Sequence, residues 1–183
     1  GLHLLHCRFV HFGYMHDCVK TALVAVCKSF QPLDLAAVSV VMEKPVARFY
    51  PLKDPLRAEG PVILADIVVS LADTAQQACV IADVSSVLSR GPSISANFHA
   101  ALRARSQAKR LKYSKYAIPS HLFHPVTVGR TNVLSSDALV FCDFIATFFP
   151  TVPKAADRLR AAISRAICVP CARSKLGMIK VRY

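Results

Sequence analysis

Two short apolar segments rich in β-branched residues, each with one aspartate inside it, constrain the fold of this chain most strongly. They occupy positions 64–70 and 80–85 and are joined by a short polar connection. Two such segments predict an antiparallel β-hairpin. If the turn is centred on positions 74–75, Asp66 lies opposite Asp83, because residues whose numbers have the same sum face each other. Val68 then shares a face of the sheet with the aspartates, whereas Ile67 faces the other way.

Paired carboxylates inside apolar strands require a physical explanation. Like charges directly opposite each other destabilise a sheet, and a buried carboxylate is costly unless a cation neutralises it. A divalent metal is one such cation, since magnesium binds one or two carboxylates together with phosphate oxygens and water. Lysine or arginine partners are a second explanation. Strand-end aspartates that point into solvent are a third, and the pair alone leaves all three open.

Length and composition indicate one folded domain. The chain has 183 residues, of which 54% are hydrophobic and 19% charged, and this balance excludes a disordered chain. No apolar run reaches the roughly 18 residues that would indicate a membrane span. The first residue is not methionine, so we expect a fragment or a processed product. The seven cysteines are odd in number and scattered through apolar segments, which predicts buried thiols in a reducing, intracellular compartment.

The formal net charge of +12, from 23 basic and 11 acidic residues, predicts a polyanionic partner. A nucleic-acid phosphate backbone is the commonest such partner. A membrane partner is not expected, because no isolated basic amphipathic helix is evident.

Two groups of cysteine and histidine residues bear on metal binding. Positions 3–16 hold four histidines and Cys7, which are compatible with half of a zinc site, and Cys168 and Cys171 form a lone C-x-x-C pair. A structural zinc site needs four ligands, and no cysteine pair precedes the histidines. We therefore expect no complete zinc site.

The remaining pattern predicts alternating helices and strands. Glu43 ends a predicted strand, before a proline-rich loop at 44–63. Ser135 or Ser136 is predicted to cap a later helix that stops at Pro150. The other predicted elements are helices at 16–30, 93–116 and after Pro153, and strands at 37–43 and 122–128.

The helix predicted at 93–116 carries a basic face. Arg105, Lys109 and Lys112 lie at i, i+4 and i+7, so they share one side. No acidic residue occurs between Asp83 and Asp137, which indicates a surface that is not built for internal salt bridges. A solvated basic face is the alternative. The further candidate nucleic-acid contacts, on this helix and on the last one, are Arg103, Arg110, Lys115, Arg158 and Arg160.

This order of elements resembles the restriction-endonuclease-like nucleases, the PD-(D/E)xK superfamily. More narrowly, it is similar to the C-terminal endonuclease region of non-LTR retrotransposon reverse-transcriptase polyproteins. The motifs that carry the resemblance are His3-x-x-x-Cys7, His16-Asp17, Glu43 after a β-rich run, Ala65-Asp66-Ile67-Val68-Val69, Ala82-Asp83-Val84-Ser85, Lys109-Arg110-Leu111-Lys112-Tyr113 and Phe123-His124-Pro125-Val126 with Gly129.

The resemblance implies an α/β fold with a mixed central sheet of about four or five strands flanked by helices. Positions 1–15 would be the remnant of a cysteine/histidine knuckle, 16–150 the endonuclease-like domain, and 151–183 a basic C-terminal helix and tail.

The implied activity is magnesium-dependent nicking of target DNA. Asp66 and Asp83, with Glu43, would hold Mg²⁺. Many relatives carry a lysine two residues beyond the second acid, where this chain has Ser85. In this retroelement type the following helix supplies that lysine, so Lys112 is the first choice, with Lys109 and Lys115 behind it. The rest of a larger polyprotein would be a partner, and the location would be the nucleus.

The alternative is a non-catalytic basic protein that binds structured RNA, such as a subunit of a ribosome or another ribonucleoprotein, with a mitochondrial location. The acids discriminate between the two hypotheses, because carboxylates that face a phosphate backbone repel it. We expect Asp66 and Asp83 to converge with Lys112 in one cleft if the chain is a nuclease, and to diverge if it only binds nucleic acid.

Overall fold

A four-stranded mixed sheet with helices packed around it forms the centre of the molecule. The computed structural model describes residues 12–31, 38–54, 61–71, 79–87, 97–129 and 133–180. The elements are α1 (Phe12–Phe30), β1 (Val38–Pro45), β2 (Leu64–Leu71), β3 (Cys79–Val87), α2 (Phe98–Tyr113), β4 (Phe123–Gly129), α3 (Ser136–Ala146) and α4 (Ala155–Lys180), with short 3₁₀ turns at Val46–Arg48 and Ser120–Leu122. The predicted knuckle remnant before residue 12, the hairpin turn at 74–75 and the last three residues of the basic tail lie outside the described residues.

The strands lie in the order β1-β2-β3-β4. The first two pairs are antiparallel and the third, β3 with β4, is parallel. A parallel pair needs a crossover connection, and α2 lies within that connection. The β2–β3 ladder places Ile67 opposite Ala82 and Val69 opposite Val80. The hairpin register predicted from the sequence is therefore confirmed, and so is an α/β fold with a four-stranded mixed sheet flanked by four helices.

The larger apolar core lies on one face of the sheet, beneath α1, α3 and α4. Ile67 and Val69 of β2 contribute to it, whereas Val68 belongs to a smaller cluster that includes Tyr113 at the end of α2. The period of two along β2 thus separates the faces as predicted. Residues of α4 such as Leu159 and Ile163 are buried in the larger core, so the C-terminal helix is part of the packed molecule.

Local sequence signals explain several element boundaries. Ser135 caps α3, since its hydroxyl accepts a hydrogen bond from the amide of Ala138 at 3.1 Å.

Three cysteines, Cys27, Cys79 and Cys142, are buried free thiols, as expected. None of the described helices is long and apolar enough to cross a membrane.

Several predicted boundaries were wrong. Helix α1 begins at Phe12, four residues earlier than predicted and inside the predicted knuckle remnant at 1–15. Strand β1 continues past Glu43 because Lys44 and Pro45 still pair with β2, and proline is tolerated on an edge strand. Glu43 therefore lies inside the strand and does not end it. Helix α2 begins at Phe98, five residues later than predicted, and ends at Tyr113.

Candidate active site

The central sheet forks at the two aspartates. The β2–β3 ladder ends where Ile67 faces Ala82, but β2 remains paired with β1, and β3 remains paired with β4, beyond that point. Asp66 and Asp83 are the first residues past the last β2–β3 pair. The backbone amide of Val84 donates instead to Asp66 Oδ2, at 2.6 Å. Where β2 and β3 separate, the Asp66 carboxylate thus takes the place of a backbone carbonyl as the acceptor for this amide.

Asp66 is held by a histidine from α1. His16 Nε2 lies 2.9 Å from Asp66 Oδ2, and its Nδ1 lies 3.1 Å from the carboxylate of Asp17. The hydrogen bond to Asp66 raises the pKa of His16 above its ordinary value, although burial opposes the change. Burial by itself would raise the pKa of Asp66, but hydrogen bonds with His16, Asp83 and the Val84 amide outweigh it and lower that pKa.

Asp83 is held by lysines from α2. Its side chain is only 2% exposed, and Lys109 Nζ lies 2.9 Å from each of its carboxylate oxygens. Lys112 Nζ lies 3.6 Å from Oδ2 and is more exposed, at 42%. Burial raises the pKa of Asp83, and the neighbouring Asp66 raises it further, while Lys109 opposes both.

The two acids lie at the wall of an open groove of about 930 Å³ that runs along α2. Arg105, Lys109 and Lys112 all line it, so the shared basic face predicted from their spacing is confirmed. Ala101, Ala104 and Ala108 are the other α2 residues in the lining, and their small side chains leave space beside the cations. The expected cleft containing Asp66, Asp83 and Lys112 is present.

Glu43 lies in the same row of the sheet as the two aspartates. In the β1–β2 register Met42 faces Ile67 and Lys44 faces Ala65, which places Glu43 level with Asp66. However, Glu43 has a φ of 54° and leaves the ladder, and its exposed carboxylate pairs with Lys20 of α1. Within the described residues no group of three His, Cys, Asp or Glu side chains that could hold a metal ion forms.

The other predicted nucleic-acid contacts are scattered. Arg103 is exposed but does not line the groove, and Lys115 lies over the Tyr116 ring at 5.6 Å. Arg110 pairs with Asp137 of α3 at 2.7 Å. Asp83 and Asp137, the acids that flank the acid-free run, thus pair with Lys109 and Arg110.

The two arginines of α4 lie apart from the groove. Arg158 lies over the ring of Phe30 in α1, 4.7 Å from its centroid. Arg160 pairs with Asp143 of α3 and with Asp157. Both arginines thus support helix packing in this structure.

Several residues in and around the site were not predicted from the sequence. His16 was noted only as a motif residue, although its i, i+4 spacing with Lys20 places both on one side of α1, and both reach carboxylates of the sheet. The hydroxyls of Ser85, Ser106 and Thr127, which hydrogen-bond to one another beneath α2, had no signal in the sequence.

The acid pair fits a hard divalent cation. Lys109 donates its hydrogen bond to Asp83 Oδ1. The buried Oδ2 accepts no hydrogen bond among the described residues, although the same Nζ lies 2.9 Å from it. Two carboxylates with oxygen still available match the way Mg²⁺ binds, through one or two carboxylates completed by substrate phosphate and water. They do not match a dedicated cage made of protein ligands alone, and a carboxylate pair is not the cysteine and histidine set of a structural zinc site.

No protein-family model matches the chain, and no curated protein matches its sequence. The restriction-endonuclease-like resemblance therefore stays a proposal, supported by the order of its motifs and by the contacts described above.

Proposed function

We propose that this chain is a metal-dependent DNA endonuclease domain of restriction-endonuclease-like type that nicks one strand, as part of a retroelement protein. The observation that carries the proposal is the convergence of Asp66 and Asp83 with Lys109 and Lys112 at the wall of an open basic groove.

The position of the acids favours catalysis over simple binding. A groove that only bound a phosphate backbone would be weakened by carboxylates in its wall, since they repel phosphate and are costly to bury. Here two carboxylates lie together beneath the lysines. A cation held between carboxylates and phosphate explains this arrangement.

The buried and the exposed residues of the site would have different roles in cleavage. Asp66 and Asp83 would hold magnesium, which when bound supplies Lewis-acid stabilisation of the scissile phosphate and a more acidic water. Lys109, whose side chain is 14% exposed, holds Asp83 in place. Lys112 lies 3.6 Å from Asp83 Oδ2 and 5.0 Å from the centroid of the Tyr113 ring, and its side chain is 42% exposed. Its ammonium would therefore face a phosphate in the groove and stabilise its charge. Arg105 lies further along the groove, in reach of the flanking backbone.

Nicking of a supercoiled plasmid with magnesium or manganese tests the proposal. We expect cleavage by the wild-type chain and its loss in Asp66→Asn and Asp83→Asn. Asp157→Asn is the matched control, because it removes a carboxylate that is 66% exposed and lies in α4. Cleavage that survives in Asp83→Asn, or no cleavage by a folded wild-type chain, would overturn the proposal.

The second candidate is a non-catalytic binder of nucleic acid, for example of structured RNA in a ribonucleoprotein. The specific observation in its favour is that Lys109 already neutralises Asp83 in this structure, without a third acid at the site in the described part of the chain. A folded chain that does not cleave but binds RNA with a steep salt dependence would favour it. In either case Arg105→Ala should reduce the slope of log affinity against log salt by about one phosphate equivalent.

A further inference from the structure

A row of buried hydroxyls connects three elements next to the acid pair. Ser85 of β3, Thr127 of β4 and Ser106 of α2 are each no more than 3% exposed. Ser106 donates to Thr127 Oγ1 at 3.0 Å, and Ser85 Oγ lies 3.1 Å from the same oxygen. Ser85 and Thr127 are also direct partners in the β3–β4 ladder. Thr127 thus lies at the centre of the network.

Such a network specifies geometry more than it adds stability. A buried hydroxyl loses its hydration and recovers that cost only through well-formed hydrogen bonds. Apolar side chains of similar size would pack without that cost but would let a helix slide by a fraction of a residue. Hydrogen bonds near 3 Å do not permit such a slide, so the network fixes α2 against both strands.

The hydroxyl network lies next to the ion pair between Lys109 and Asp83. Ser85 is two residues beyond Asp83 on the same face of β3, about 7 Å along the strand. Ser106 is three residues before Lys109 on the same side of α2, about 4.5 Å along the helix axis. The hydroxyl contacts and the contact of Lys109 with Asp83 are therefore two successive links between the same strand and the same helix.

We propose that the hydroxyls of Ser106, Thr127 and Ser85 form a positioning network that sets the reach of Lys109 to Asp83, and with it the placement of Lys112 over the groove. These are positioning residues, since they act through the lysines. The effect on cleavage rests on the proposed function, whereas the effect on Lys109 does not.

The test compares Thr127→Val, which keeps the shape of the side chain and removes the hydroxyl, with Thr127→Ser, which keeps the hydroxyl. Lysine acetylation by acetic anhydride, followed by mass spectrometry, reports how accessible Lys109 is, with Lys115 as the internal reference. We expect acetylation of Lys109 to increase about tenfold in Thr127→Val, a ratio that corresponds to about 1.4 kcal/mol. It should return to the wild-type level in Thr127→Ser.

Val126→Ala is the control for general loosening, because Val126 is the neighbouring fully buried residue of β4 and belongs to the core on the other face. It should lower the melting temperature without exposing Lys109. If Thr127→Val fails to fold, Ser106→Ala removes one of the two hydrogen bonds and takes its place.

The result that overturns the proposal is unchanged protection of Lys109 in Thr127→Val, or a loss of protection that Thr127→Ser does not restore. If plasmid nicking is detected, kcat per folded molecule should fall about tenfold in Thr127→Val with KM unchanged, and Thr127→Ser should restore it. The folded fraction, taken from the thermal melt of each variant, separates this effect from a loss of active protein. A wild-type chain that does not cleave would refute the nuclease proposal and leave the acetylation result to be read by itself.

Discussion

Lys109→Met should destabilise the protein because it leaves the Asp83 carboxylate buried without its nearest cation. Asp83 is 2% exposed, and Lys109 Nζ lies 2.9 Å from both of its oxygens. Removal of one partner from a buried ion pair costs about 3–5 kcal/mol. Two features place the expected loss at the lower end of that range. Lys112, at 3.6 Å, still offsets part of the charge. Asp83 can also take up a proton, since its pKa is already raised by burial and by Asp66.

The sign of the pH dependence follows from that raised pKa. The folded state holds the Asp83 proton more tightly than the unfolded state, so the cost of the charge is complete above the folded pKa and is relieved as the pH falls through it. The loss caused by Lys109→Met should therefore be about 3 kcal/mol near pH 8 and should be much smaller at about pH 5.

Urea unfolding followed by circular dichroism, in buffer that contains EDTA, measures this loss in the wild type, Lys109→Met, Asp83→Asn and the double variant. Because the cost arises from the unpaired carboxylate, Asp83→Asn should restore most of the stability in the Lys109→Met background. Additive losses, or an equal loss at both pH values, would refute the reasoning.

Three further predictions concern local contacts. His16→Gln should lower the free energy of unfolding by about 1 kcal/mol at acidic pH, because protonated His16 pairs with Asp66 there. The difference should vanish as the pH rises through the raised pKa of His16. Thermal melts at several pH values measure it. Lys154→Gly should raise stability by about 1 kcal/mol in urea unfolding, because Lys154 has a φ of 53°, whereas Lys154→Ala should bring no gain. Gly129→Ala should cost about 1–3 kcal/mol, since its added Cβ would lie 2.1 Å from Phe98 Cζ, and a smaller residue in place of Phe98 should recover part of that loss.

The hairpin could be predicted because its signals are local. A run of β-branched residues, a period of two and a short connection set both the register and the face of Val68 against Ile67. The spacing of Arg105, Lys109 and Lys112 placed them on one side of a helix for the same reason. These patterns depend on geometry within one element or between neighbouring ones.

The remaining features of the site depend on contacts between distant parts of the chain. Lys109 rather than Lys112 lies closest to Asp83, because the hydroxyl network sets how α2 sits on β3 and β4. The approach of His16 to Asp66 spans fifty positions. The positive φ of Glu43 depends on the pairing of the residues on either side of it. Composition and periodicity carry no information about these distances.

The mixed topology also has a consequence for the order of folding. Strands β1, β2 and β3 pair between sequence neighbours, whereas the β3–β4 ladder joins positions about forty residues apart, from Ile81 with Phe123 onward. Ladders that close long loops form late. The antiparallel part would then bring Asp66 and Asp83 together before α2 delivers their lysines. The two carboxylates repel each other until α2 docks and its lysines neutralise them. The site and the fold are therefore completed in the same kinetic step. Backbone amides near Asp66 and Asp83 should gain protection from hydrogen exchange last.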